Sequence, residues 1–429
     1  MNVEIITIGD ELLIGQVVDT NSAWMGEELE KENFRIVWKT TVGDDEADIL
    51  EAVDRAMGRA RIVLLTGGLG PTKDDITRSA LCKYFGAKLR FSEEVYENIL
   101  QIFGRSGREV NSLTRDQAMT PDVCTVIPNL AGTAPCMWFE RNGGALISMP
   151  GVPYEMKWLM TNEVIPRLKR AFRPDVFIRH RTLWVSGYSE SALAMALEEF
   201  EGEMPAFMKL AYLPQAGLVR LRLSAYSGGE EESSKAVAFQ ESKLCALLAG
   251  HVLSEDDKSP EVMLGEVLLS KGLTLGVAES CTGGRIASLI TSVAGCSRYF
   301  KGGIVSYDNN VKRKLLCVSE RDLSTQGAVS RTVVEQMALG AVSVLGCDCA
   351  VATSGIAGPD GGSPDKPVGT VWIAATVEDR IVSECYQLGV MRESNIIRAS
   401  NMALLMLLGL INGGGLGFNN RQALLSCRG

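Results

Sequence analysis

The chain has 429 residues, 46% of them hydrophobic and 22% charged, with a formal net charge of -9. That length exceeds one ordinary core and implies two or three domains, while the composition excludes a disordered or collagen-like chain. The acidic balance argues against a general nucleic-acid binder, whose footprint is a basic face.

Val3–Ile8 is predicted as a strand, Asn21–Glu32 as a helix behind the capping pair Thr20-Asn21, and Arg35–Thr40 as a strand. Glu46–Met57 follows as a helix, and Ile62–Leu65 as a buried strand running into Thr66-Gly67-Gly68. This alternation over residues 1–170 predicts a mostly parallel sheet with its site at the carboxyl ends of the strands. Two acidic turns would meet there. One carries Asp10 and Glu11 and leads to Asn21; the other carries Gly67 and Gly68 and leads to Asp74 and Asp75. Glycines let the backbone approach a phosphate, and carboxylates beside a phosphate require a bridging cation, so Asp74 and Asp75 suggest a metal-assisted phosphate site.

Residues 171–257 change character. Arg181–Val185 and Val219–Tyr226 read as strands, Glu190–Phe200 and Glu230–Leu248 as helices, which together make a small α+β module. The polar run Ser254–Pro260 reads as a boundary, residues 258–412 alternate β and α again, and 413–429 form a glycine-rich tail expected to be mobile. The apolar run Met402–Ile411 is too short for a bilayer and reads as a core helix.

The chemistry of the last part centres on Glu279-Ser280-Cys281-Thr282-Gly283-Gly284, between a strand-like run Leu273–Ala278 and a helix start at Arg285. Such a turn brings backbone N–H groups and a nucleophile to one spot. Only two histidines exist, His180 and His251, and neither lies near a cluster of hydroxyls or carboxylates. A Ser-His-Asp triad or histidine-rich zinc site is therefore disfavoured, and a serine must take its base from lysine or tyrosine. Tyr307 and Lys312 follow the next predicted strand, and Gly355 and Gly358 follow a third. Arg392 and Arg398 stand around the start of the last helix, where a guanidinium can clamp a phosphate or carboxylate. The eleven cysteines are scattered, and with no basic leader before the first strand they read as reduced thiols of a cytoplasmic protein.

These motifs resemble full-length CinA proteins (competence/damage-inducible protein A) over all but the tail. Gly9–Leu13, Thr66–Thr77, Asn129–Pro135 and Pro150–Met156 are similar to that family's molybdopterin-binding-like domain; Glu279–Gly284, Ser306–Lys312 and Ser354–Thr370 are similar to its C-terminal deamidase domain. The middle module resembles the family's KH-like domain, without a G-x-x-G loop. The resemblance implies two α/β domains with mostly parallel sheets joined by that module, and a homodimer. It implies two activities. One is metal-dependent hydrolysis of ADP-ribose to AMP and ribose 5-phosphate; the other is cofactor-free deamidation of nicotinamide mononucleotide to nicotinate mononucleotide and ammonia. Carried over by motif, Ser280 is the nucleophile, Lys312 and Tyr307 activate it or protonate ammonia, and the N–H groups of Cys281 and Thr282, next to Gly283, receive the oxyanion. Arg392 or Arg398 would hold the nucleotide phosphate. Cys136 stands where the family usually has glycine. The alternatives are a molybdopterin-binding protein and a non-enzymatic factor in DNA uptake or repair.

Overall fold

The computed structural model describes residues 1–72, 74–106, 109–215, 217–254 and 256–413; the glycine-rich stretch from 414 onward lies outside the described residues. Two compact units result, Met1–Arg179 with Tyr226–Ser234, and His180–Ala225 with the chain from Lys235 onward.

In the first unit, β1 (Asn2–Ile8), β2 (Arg35–Val42), β3 (Ile62–Thr66), β6 (Thr125–Ile127), β7 (Cys136–Arg141) and β8 (Gly144–Met149) form one sheet in the order β2-β1-β3-β8-β7-β6. The strands β2, β1, β3 and β8 run parallel, and β7 and β6 return antiparallel. A short ribbon, β4 (Leu89–Phe91) and β5 (Met119–Pro121), stands beside it. Strand β3 is buried along its whole length, as a central parallel strand covered on both faces must be. Helix Glu46–Arg59 presents Ile49, Ala52, Val53 and Ala56, spaced at helical period, to one face. Helix Thr20–Lys31 packs Met25 and Leu29 into the core on the other. Its cap is Asp19, which accepts from the Ser22 amide at 2.9 Å, so Asn21 lies inside the first turn rather than capping it. The one acid buried within β1, Glu4, is matched by a forked pair of bonds from Arg59 (2.8 and 2.6 Å) and one from Thr40. Cys136 is buried at the start of β7 outside the left-handed region, so a side chain replaces glycine there without backbone strain.

The middle sheet has the order β10-β11-β9-β12, from β9 (Phe177–Ser186), β10 (Met208–Gln215), β11 (Leu218–Ser227) and β12 (Val252–Ser254). Its expected single helix over 190–200 breaks in two, Glu190–Ala196 and Glu198–Gly202. The polar run at 254–260 joins rather than separates. The Asp257 carboxylate accepts from Trp184 Nε1 at 3.0 Å and from Arg220 at 2.9 Å, and Trp184 and Leu218 share the hydrophobic core of the C-terminal part.

That C-terminal part is a five-stranded sheet, β14-β13-β15-β16-β17. Strands β13 (Leu275–Glu279), β14 (Phe300–Val305) and β15 (Cys349–Gly355) are parallel, and β16 (Thr370–Val377) and β17 (Arg380–Gln387) antiparallel. The last helix is longer than the sequence suggests, Arg392–Ile411. It is long and apolar enough to cross a membrane, yet 61% of that stretch is buried, with Ala399, Leu404, Leu407 and Leu408 in the core. It is a core helix.

Candidate functional sites

In the first unit a cavity of about 130 Å³ opens at the carboxyl ends of β1 and β3, lined among others by Thr7, Glu11, Asp19, Asn21, Thr66 and Gly151. Asn21 is buried, and its Nδ2 donates to the Gly151 carbonyl at 2.7 Å, which leaves Oδ1 without a partner. Gly67 holds φ +115, and a Cβ there would stand 2.2 Å from the Ile8 carbonyl, so only glycine fits between β1 and the turn. Gly68 follows with φ +64, and its carbonyl accepts from the Thr77 amide.

The acids divide into two roles. Asp75 accepts from the amides of Gly70 (2.7 Å) and Thr72 (2.9 Å) and from the Thr72 hydroxyl, so its carboxylate braces its own loop. Asp10 and Asp44 instead exchange bonds, each carboxylate accepting from the other's amide at 3.2 and 3.1 Å. Burial, together with the charges of Asp10, Glu11 and Asp74, pushes the Asp44 carboxyl above its ordinary value. Asp44 is a member of this group that sequence reading missed, because it follows β2 rather than a glycine turn. Among the described residues no three His, Cys, Asp or Glu side chains converge into a preformed metal cage. A second missed network lies behind the cleft. Buried Asn129 donates to Glu155 at 2.6 Å and to the Ala134 carbonyl at 3.0 Å, and burial raises the Glu155 carboxyl.

In the second unit Ser280 follows β13 and is nearly buried, at 9% exposure. Its amide donates to the Thr353 carbonyl at 3.0 Å, tying the turn to β15, and Thr282 Oγ1 meets Thr353 Oγ1 at 2.8 Å. The N–H groups at the start of the following helix are taken. Buried Glu279 accepts from the amides of Gly284 (3.0 Å), Ile286 (3.0 Å) and Ala287 (2.9 Å), so the mouth of helix Arg285–Ser292 is filled by the chain's own carboxylate. Among the described residues the amides of Cys281 and Thr282 donate to no backbone carbonyl. The Cys281 thiol is buried and pushed up to about 12, an inert position for a nucleophile.

Lys312 is almost completely buried, and its Nζ donates to the carbonyls of Ser306 (2.7 Å) and Tyr307 (3.1 Å). Burial lowers its pKa. The Ser306 amide bonds the Glu279 carbonyl at 2.8 Å, so the ends of β13 and β14, and with them Ser280 and Lys312, share one mouth. Tyr307 is 59% exposed, and its hydroxyl accepts from Arg392 at 3.0 Å, while the other arm of that guanidinium donates to the Gly358 carbonyl at 2.8 Å. Gly358 has φ +91 with Val368 and Val390 against it, and a Cβ on Gly355 would press on the Thr370 carbonyl at 2.8 Å. Gly283 holds φ +63 in the turn itself. Arg398, one and a half turns into the helix, donates to the Leu388 carbonyl at 3.0 Å, and a Cβ added to Gly217 of the middle module would lie 3.7 Å from its Cγ. Arg392, not Arg398, joins the Ser280–Tyr307–Lys312 mouth.

The model for the "CinA C-terminal domain" family matches residues 257–411, and that for the "Probable molybdopterin binding domain" matches 4–170. The chain is 43% identical to a CinA-like protein of Flavobacterium psychrophilum, over 95% of this chain and 98% of that one. It is 42% identical to a CinA-like protein of Cytophaga hutchinsonii, over 94% and 96%. A solved CinA of unknown function from Thermoplasma acidophilum is 32% identical over 40% of this chain and 98% of its own, with a TM-score of 0.36. With near full-length identity of this order, the chain belongs to the CinA-like protein family.

Proposed function

We propose that the C-terminal part is an amidohydrolase that converts nicotinamide mononucleotide and water to nicotinate mononucleotide and ammonia. One observation carries this reading: a near-buried serine, two amides beside it that donate to no backbone carbonyl, and a buried lysine of lowered pKa share the mouth of two adjacent strands. A neutral lysine amine has two N–H donors and one lone pair. Once Lys312 has lost its proton, the carbonyls of Ser306 and Tyr307 take both remaining donors, and the lone pair is the base we assign to the serine proton. Ser280 Oγ attacks the carboxamide carbon as Lys312 takes its proton, and the amides of Cys281 and Thr282 receive the oxyanion. Collapse expels ammonia with the proton returned from Lys312, and water, activated by the same amine, hydrolyses the ester. Arg392 holds the phosphate, with Tyr307 positioned by it.

For the first unit we propose hydrolysis of the pyrophosphate of ADP-ribose, in which ADP-ribose and water give AMP and ribose 5-phosphate. Hard carboxylate oxygens suit a divalent cation, and the neighbouring Asp10 and Asp44 would hold it, with water and phosphate oxygens as the further ligands. Bound there, the cation supplies charge neutralisation of the pyrophosphate. Asn21 offers its unpartnered Oδ1 to a ribose hydroxyl, and Gly67 and Gly68 admit the phosphate. A second reading, molybdopterin binding, is favoured by the family match over 4–170 and is tested by retention of added molybdopterin. The two activities are tested by chromatography of products from each substrate. Ser280→Ala is expected to abolish nicotinate mononucleotide formation and leave ADP-ribose cleavage unchanged; loss of both would overturn the two-site reading.

A further inference from the structure

At the amino ends of β3 and β8, the opposite end of the sheet from the cleft, the first unit has a larger cavity of about 530 Å³. Arg61 and Arg141 line it, and among the described residues neither guanidinium forms an ion pair. Arg61 is held by a bond from Nε to the Gly143 carbonyl at 3.0 Å, in the turn joining β7 and β8, and Arg141 lies over the Tyr84 ring at 5.0 Å. Each arginine is thus oriented by one contact while its remaining N–H donors stay available. Asp54 stands beside the same tyrosine, its carboxylate accepting from the Tyr84 hydroxyl at 3.3 Å, and Met57 and Gly58 line the cavity near the carbonyl end of helix Glu46–Arg59.

We propose that this cavity binds a sugar phosphate monoester, with the phosphate on Arg61 and Arg141 and the sugar hydroxyls on Asp54 and the helix carbonyls. Two guanidiniums lining one cavity offer charge-assisted donors that suit an anion. The nearby Asp54 carboxylate would repel a second anionic group and takes hydroxyl donors instead. The volume suits a ribose phosphate or nucleoside monophosphate.

Calorimetric titration of the full chain with AMP, ribose 5-phosphate and inorganic phosphate tests this. Arg61→Gln/Arg141→Gln is expected to lose one equivalent of sugar phosphate per chain, or to weaken it at least about tenfold, with the cleft unaffected. Arg61→Lys/Arg141→Lys, which keeps the charge, should recover part of the affinity and guards against misfolding as the cause. Asp54→Asn should bring ribose 5-phosphate down toward inorganic phosphate. Unchanged stoichiometry and affinity in the glutamine variant would overturn the site, as would wild type showing no equivalent that the variant lacks. Equal affinity of wild type for ribose 5-phosphate and inorganic phosphate would overturn the sugar assignment. Because the readout is a difference of one equivalent, it stands whether or not the cleft cleaves ADP-ribose.

Discussion

Replacing Lys312 by methionine separates its two roles, because the thioether fills a similar volume without a basic amine, N–H donors or charge. As the proposed base, its removal is expected to lower deamidation by about 10²–10⁴-fold, or about 3–5.5 kcal/mol of barrier. The stability effect follows from its surroundings. Two carbonyls, those of Ser306 and Tyr307, lose their donor, at about 1 kcal/mol each. Against this the fold no longer buries an ionisable amine. The net change at neutral pH should stay within about 2 kcal/mol. The sign of the pH dependence is fixed by the lowered pKa. Between that value and the ordinary 10.5, the unfolded chain binds more protons at Lys312 than the native one. Wild-type stability therefore gains a rising component with pH across that window and carries a constant penalty below it. Lys312→Met lacks this component, so the gap between the proteins should shift in favour of wild type as pH rises. Denaturant melts from neutral pH to about 9.5, beside ammonia release over the same range, make the measurement. Deamidation within threefold of wild type, or stability curves that stay parallel, would refute the reasoning.

Arg392→Gln should raise KM for nicotinamide mononucleotide by about tenfold through loss of a charge-assisted contact, whereas Arg398→Gln should leave KM alone and lower the unfolding midpoint; the reverse pattern would move the phosphate to Arg398. Asp44→Asn should shift the metal concentration needed for ADP-ribose cleavage upward, while Asp75→Asn should lower the rate without shifting it, since Asp75 braces its loop; metal titrations of the two variants compare them. Gly67→Ala should destabilise the first unit by more than about 3 kcal/mol, because a Cβ at 2.2 Å from the Ile8 carbonyl in a left-handed turn has nowhere to move, and thermal melts read this directly.

The parts of the fold legible from sequence are those where one period dominates. Strands β1 and β3 and helix Glu46–Arg59 stand where hydrophobic spacing puts them, because each is governed by a single buried face or by burial throughout. What escaped were choices made by tertiary partners. Asp19 rather than Thr20 or Asn21 caps the first long helix, and any of these side chains is chemically able to do so. The run at 254–260 looks like a linker in composition, yet Asp257 finds Trp184 and Arg220, which are distant in sequence. Asp44 joins the acidic cleft from a loop with no glycine signature, and Arg392 becomes part of the C-terminal mouth while Arg398 turns to Leu388.

The two glycine-rich turns share a device that composition could not reveal. A helix mouth rich in free N–H groups attracts any carboxylate within reach, including the chain's own. Glu279 occupies one such mouth and Asp75 braces the other turn, each accepting from two or more backbone amides. Such internal anions fix the turns before substrate arrives, which lowers the entropy lost on forming a productive complex. They also exclude a substrate phosphate from the amides they hold. On the reading proposed for the C-terminal mouth, this leaves the Cys281 and Thr282 amides for an oxyanion and puts the phosphate toward Arg392 and the Gly358 turn. Glu279→Gln is the discriminating change: its amide group would confront N–H donors that now face a carboxylate. If Glu279 orders the turn, the variant should lose about 2–4 kcal/mol of stability and most deamidase turnover together. Calorimetry and product formation on the same preparation check this. Full turnover with lost stability would show that the turn is ordered by substrate instead, and full stability would show that the three bonds to Glu279 hold nothing in place.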